Sequence, residues 1–352
     1  MQQARNGPRA RRPANDAAAL RRQRGVMAFT MPFALLTALA LGAFAVDIGH
    51  LYVAQAELQT AADAAALAGA ASLFPASKTG PNWSAAQSAA TSAVGLNTSD
   101  GATLHDASVQ PGYWNLSGTP AGMQSTTVVP GIYDAAAVQV TVSRAANLNG
   151  GPVSFFFARL FGTDTGTTNA SAIAVVAAPG QVAPHALFPV AIGQCVYDQY
   201  WNAQSNSPAT DASGAPYQVK IGDVQTSGGC IAGQWTSFQT DANDVKTVRG
   251  LIDNGNSTAL SIGDPIWIEP GVKDSIYPYV TPNSDVLVPV VDQATTSTHQ
   301  IIAFAAFHID QGVGGNGKYI VGHFLGGFKV SSVGTGEVGP YYGAYVPPRL
   351  AR

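Results

Sequence analysis

At 352 residues the chain is long enough to bury two cores. Its formal charge is −3, but the sign is divided: residues 1–24 carry seven arginines (Arg5, Arg9, Arg11, Arg12, Arg21, Arg22, Arg24) against one acid, Asp16. The remaining residues hold eleven basic and twenty acidic groups, and so acidic and lysine-poor a body argues against nucleic-acid binding.

The first predicted element follows the arginines. Gly25 to Val46 is a run of 22 residues without a charge, about 33 Å as a helix, which matches the hydrocarbon thickness of a bilayer. Asp47 marks the exit from the membrane, because a carboxylate at the centre would cost about 2.5–3.5 kcal/mol on insertion scales. The arginine-rich tail (1–24) is expected in the cytoplasm by the positive-inside rule, and everything after the span (25–47) outside it. A signal peptide cleaved after Ala45 is the rival reading, since Ala43-Phe44-Ala45 has a small-residue pattern. The length of the apolar run and the unbroken helical pattern beyond it favour an uncleaved anchor. Pro32 is placed near the start of the span, where a kink is tolerated. Ala34, Ala38 and Gly42 form a small-xxx-small stripe, which either admits a second helix or only reflects abundant alanine.

The helix is predicted to continue through 48–75. Leu51, Ala54, Leu58, Ala61, Ala65, Ala68 and Ser72 recur at steps of three and four, a narrow stripe of small knobs. Only Glu57 and Asp63 are charged, so this helix must pack on its own body or on a partner. Phe74-Pro75 is the expected stop.

The string ALLTALALGAFAVDIGHLYVAQAELQTAADAAALAGA, preceded by QRG, resembles the N-terminal segment of TadG-like proteins of the Tad (Flp) pilus assembly system. The shared pattern is a charge-free span, VD-G, an aromatic, and AELQ-AADAAALAGA. It is loosely similar to the first helix of type IV pilins. Prepilins, however, carry a glutamate five residues after the processing glycine, and here Gly25 is followed at that place by Thr30. The resemblance implies a non-enzymatic structural or scaffolding part of pilus assembly, single-pass in a bacterial inner membrane, with the exported regions in the periplasm. It implies other pilus assembly proteins as partners through helix packing, and no cofactor, nucleic acid or small-molecule substrate.

Further along, the fold class is α+β. Trp83–Val94 reads as a short helix capped by Asn82. Strands are expected at Ala107–Val109, Ala135–Ser143 and Ala170–Ala178, with a short apolar helix at Ser154–Phe161. Residues 76–180 are thus a compact α+β module, and Pro179, Gly180 and Pro184 mark a linker. Residues 185–352 read as mostly β, a sandwich or small barrel. Its strands are expected at Val190–Ile192, Tyr217–Ile221, Pro265–Ile268, Val286–Val291, Ile301–Ile309, Tyr319–Phe324 and Phe328–Val333, with one helix at Asp241–Ile252.

The signals for chemistry are sparse. Cys195 and Cys230 are the two cysteines, and in an oxidising compartment a pair without a third partner reads as a disulfide; a catalytic cysteine is the alternative. Gly312-x-Gly314-x-x-Gly317 fits a dinucleotide fingerprint only formally, because a strand pattern follows it, so a glycine-rich hairpin is expected. His299, His308, His323 and Asp310 match no metal-ligand spacing, but the last three define a rival reading as an anchored hydrolase. A second rival is an adhesive or ligand-binding module, which needs an exposed aromatic cluster among Tyr197, Tyr200 and Trp201, or Tyr341, Tyr342 and Tyr345. Asp211-Ala-Ser213 only partly matches the DxSxS motif of the von Willebrand A domain that ends some TadG-like proteins. No metal, catalytic or cofactor site is therefore expected.

Overall fold

The computed structural model describes residues 16–225, 229–242, 244–269, 274–330 and 338–351. Four of the seven tail arginines, and residues 331–333 of the strand expected at Phe328–Val333, lie outside the described residues. A single helix, α1, runs from Asp16 to Ala71, 56 residues, with Pro32 inside it. Alanine and leucine, both good helix formers, dominate it, and Pro32, which has no N–H to donate, is its one proline. The chain then turns at Phe74-Pro75 into α2 (Trp83–Val94), where the Asn82 side chain accepts from the Ala85 N–H at 3.0 Å as the cap.

Both helices lie on an antiparallel sheet. Its central strands are β1 (Ala107–Asn115), β2 (Asp134–Arg144) and β3 (Thr168–Val176), with Val109 opposite Val140 and Val140 opposite Ala172. Val138, Val140 and Val142 alternate onto the face that buries Leu58, Ala61, Ala62, Ala65, Ala66, Ala86 and Ala90 in one core. Small side chains allow the close approach. A Cβ on Gly69 would stand 3.0 Å from atoms of Ala86, Ala90 and Val138, so α1, α2 and β2 meet at a residue with no side chain. The short apolar helix expected at Ser154–Phe161 is instead a hairpin. Val153–Ser154 pairs with Thr165–Gly166, and only Ala158–Phe161 forms one 3-10 turn, which Gly162 ends at φ +85°.

The second half adds β4 (Val190–Gly193), α3 (Gln194–Tyr200), β5 (Val219–Gln225), β6 (Ile231–Phe238), α4 (Val245–Asn254), β7 (Pro265–Ile268), β8 (Ser284–Val291), β9 (Thr298–Val313) and β10 (Tyr319–Phe324). The pairing runs β4–β8–β9–β10–β5–β6 and returns to β4, so the sheet closes into a small barrel, with β7 bridging β6 and β9. Only β4–β8 is parallel. Ile192, Val219, Trp235, Val288, Phe307 and Ile320 fill its core. The helix α4 starts four residues later than expected, after Asp244, which caps it: its carboxylate accepts from the Thr247 N–H at 2.9 Å.

The stretch expected to act as a linker is held on both sides. Ala178–Pro179 pairs with Val338–Gly339, and Gln181–Val182 pairs with Leu260–Ser261. The chain end also returns: Arg349–Ala351 adds an edge strand to β3. At the end of α1, Phe74 stacks on Tyr345 and Tyr341 with ring centroids 4.8 and 5.5 Å apart.

Candidate functional site along the long helix

Three zones follow one another on α1. From Met31 to Leu41 every side chain is exposed, although Leu35, Leu36, Leu39 and Leu41 are all apolar. Ala34 and Ala38 lie in this zone and Gly42 directly after it, where a Cβ would meet nothing within 4 Å. Thr37, a polar group in the run, donates its hydroxyl to the Phe33 carbonyl at 2.8 Å, so it makes no demand on the surroundings. α1 is long and apolar enough over Thr30–Ala71 to cross a membrane.

The second zone is the exit. Asp47 is only 2% exposed. Its carboxylate accepts from the N–H groups of Phe156 (2.7 Å), Phe157 (3.0 Å) and Ala158 (2.6 Å), the two residues that lead into the 3-10 turn and the first residue of it. A carboxylate from a distant helix thus caps a turn whose own cap residue, Phe157, has no side chain to do so. One turn later His50 bonds Asp100 at 2.9 Å and packs against the Phe156 ring at 5.1 Å. Asp100 receives a second tie, its own N–H donating to Glu57 at 2.7 Å. Arg144, 4% exposed, donates to the carbonyls of Gly151 and Ser99 and lies 3.7 Å from the Asp100 carboxylate. This polar collar fastens the helix to the sheet. Sequence pattern gave Asp47 as a charge at a boundary; its capping partners lie about a hundred residues away and carry no motif.

The third zone is the alanine stripe. Ala54, Leu58, Ala61 and Ala65 are fully buried, and Leu51 and Ala68 are half-buried. The buried face is wider than the stripe, since Ala62, Ala66, Gly69 and Leu73 are enclosed as well. The partner of this face is the chain's own body, through α2, β2 and β3. Gln59 lies on the exposed side, but its amide reaches the Ser171 carbonyl at 3.3 Å.

Cys195, in α3, and Cys230, before β6, form a disulfide with Cα atoms 6.1 Å apart. It ties a short helix with no side-chain cap to the barrel wall.

The residues of the rival readings are placed as follows. Asp285, His308 and His323 occupy adjacent register positions on β8, β9 and β10. His308 Nδ1 is 2.6 Å from Asp285, which also pairs with Lys78 of the turn after α1. Asp310 lies 3.7 Å from His308 and 3.6 Å from His323. Burial depresses the His323 pKa, assisted by His308, while Asp310 acts in the opposite direction. The three residues of the hydrolase reading, His308, Asp310 and His323, therefore do come together on the sheet, with Asp310 beside both imidazoles. His299 stands apart, between Asp292 (2.8 Å) and the hydroxyls of Thr295 and Ser297; its bond holds the Asp292 carboxyl below the usual range. Among the described residues no group of three His, Cys, Asp or Glu side chains is disposed to hold a metal.

Tyr197 and Tyr342 stack at 3.7 Å inside the barrel beside Trp201, all under a tenth exposed, which weakens the adhesive reading. Burial pushes the Tyr197 and Tyr341 phenols well above their ordinary range. Asp211 spends its carboxylate on Ser213 and Ala215 of its own loop. The glycines of the fingerprint-like run belong to the β9–β10 hairpin. A side chain on Gly312 would run into the Tyr277 carbonyl, and one on Gly314 into Pro278, so the residues are small for packing.

Residues 25–72 match the family model described as Flp pilus-assembly TadE/G-like, and residues 54–174 match the one described as Tad-like Flp pilus-assembly. The second match ends inside β3, before the barrel begins. No curated protein and no solved structure matches the chain significantly.

Proposed function

We propose a membrane-anchored structural or scaffolding component of Tad (Flp) pilus assembly, a reading supported by the matches of residues 25–72 and 54–174 to pilus-assembly family models. In this reading α1 crosses a bacterial inner membrane once, the arginine tail remains in the cytoplasm, and the sheet and barrel stand in the periplasm. The observation that carries it is the change of surroundings along one unbroken helix. Met31–Leu41 is almost wholly apolar and uncovered on every side, whereas over Ala54–Ala70 the apolar face of the helix is enclosed by the body and the polar residues lie on the other. The uncovered stretch lies within the 22 charge-free residues Gly25–Val46, a run long enough to have lipid as its fitting solvent. With the stripe enclosed, helix pairing through α1 falls to the span, where Ala34, Ala38 and Gly42 offer the close approach that pairing in lipid needs. The disulfide fits an oxidising compartment.

A reporter active only in the periplasm, fused after Arg352, tests the orientation; activity of a cytoplasm-only reporter at that site overturns it. A deletion strain tests the role. Assembled pili should return with the full chain and fail with one whose Gly25–Val46 is replaced by polyleucine of equal length. Full piliation with the polyleucine span would reduce α1 to an inert anchor.

A further inference from the structure

The hairpin between Phe155 and Asp164 carries a cluster of uncovered apolar side chains. Leu160 and Phe161 are 77% and 79% exposed, and Phe156 and Phe157 are also uncovered. Such a cluster at one turn is unusual on a water-facing surface. The position of the hairpin is fixed at both ends. Its base sits on the body: Val153 is fully buried, and the Gly151 carbonyl accepts from Arg144, which belongs to the collar around Ala54 and Glu57. Its tip is held on Asp47 by three N–H donors, with Phe156 against His50. The hairpin therefore runs back along α1 from the level of residue 54 to that of residue 47, about 10 Å toward the apolar run. Asp47 is the first charge after that run, so the tip lies where the helix meets the membrane boundary.

We propose that this hairpin is a second membrane contact. Phe156, Phe157, Leu160 and Phe161 enter the headgroup–acyl boundary of the leaflet from which α1 emerges. The inference rests on α1 being the anchor. The occupant is lipid because the cluster continues the apolar surface of the helix at Phe44, Val46 and Ile48, all exposed. The charge pattern agrees: Arg159, the one charged residue of the tip, is exposed, and although its Nε donates to the Phe155 carbonyl at 3.0 Å, the end of its guanidinium can meet a phosphate. Asp164 lies at the base, its carbonyl accepting from the Phe155 N–H. Two contacts at one level fix rotation and tilt of the body, which a single helix leaves free. Through Asp47 the tip is coupled directly to α1.

The full chain, reconstituted in vesicles of phosphatidylethanolamine and phosphatidylglycerol, tests this with tryptophan reporters at Phe161→Trp, Leu160→Trp and Leu39→Trp, each read as the difference from the parent. Lipids brominated near the headgroup should quench and blue-shift the first two most strongly; lipids brominated near the chain end should quench Leu39→Trp. Quenching at Leu39 with none at Phe161 and Leu160 overturns the hairpin contact and leaves the anchor standing. Reporters at the tip that acrylamide cannot reach but brominated lipid does not quench would mean a protein cover, a second copy included, and overturn it equally. No quenching at any of the three would remove the anchor and the hairpin contact together.

Discussion

Asp47 shows what a residue's neighbours add to its sequence context. Its position after the span was legible; its three N–H donors were not, because nothing in VDIGH names Phe156. Asp47→Asn keeps the size but removes the charge that strengthens those bonds. The amides of Phe156, Phe157 and Ala158 should then lose hydrogen-exchange protection while α1 beyond Ala54 keeps its own; unchanged protection would show that the cap is not electrostatic. Cys195 and Cys230 were legible as a pair because the chain has no third thiol. Each Cys→Ser change should cost about 4 kcal/mol for a loop of this size, and the double variant no more than either single, measured by denaturant unfolding. Labelling of two free thiols in the unreduced protein would refute the bond. His323 gives a pH signature. Its folded pKa lies below that of the free side chain, so near pH 6.5 the unfolded chain binds more protons and stability rises with pH. That contribution is fully present above about pH 6.5 and declines as pH falls below it. His323→Gln should flatten the decline in stability seen between about pH 7 and pH 5; an unaltered slope would show that His323 does not contribute to it.

At the scale of elements, regular patterns were legible and irregular ones were not. Trp83–Val94 was readable to the residue because Asn82 is a strong cap and the alanines are periodic. β6 was missed: IAGQWTSF places Gly and Gln where an alternating strand would show large apolar groups, and its burial is decided by β4, β5 and β7 around it. α3 was missed because Gly193 gives it no capping side chain. The alanine face of α1 was read as one stripe where two adjacent ones are buried, since alanine is equally at home on either side of a helix. That face makes a sharp prediction. Ala61 is fully buried and Ala64, one turn away, is exposed. Ala61→Leu should cost about 1–3 kcal/mol by overpacking, whereas Ala64→Leu should be nearly silent. Helix propensity is changed equally in both, so it cancels. Ala64 is also a better control than Gln59, whose amide touches Ser171. Equal tolerance in thermal unfolding would mean that the face is not tightly packed.

At the scale of the whole molecule, the two expected regions are joined by pairings remote in sequence. Arg349–Ala351 completes the first sheet, Val338–Gly339 covers Ala178–Pro179, and Lys78 pairs with Asp285 on the barrel. None of these has a local signature, so a reading that proceeds along the chain sees a linker at Pro179–Pro184 and stops there. Phe74 is the best place to test the joint, since it belongs to the core under α1 and stacks on Tyr341 and Tyr345 beside the barrel. Removing the ring deletes contacts on both sides at once. Phe→Ala substitutions in cores cost about 3–5 kcal/mol, and Phe74, 8% exposed, belongs at the lower end of that range. Since the ring is shared, the loss should fall on the coupling between the regions as well as on either core. Heating the wild-type chain should therefore give one cooperative transition and Phe74→Ala two, resolved by calorimetry. A single transition in Phe74→Ala, shifted by less than about 1 kcal/mol, would show that the ring couples nothing. The regions would then be held together by their strand pairings alone, and a force on the barrel would reach α1 through backbone hydrogen bonds and not through this aromatic stack.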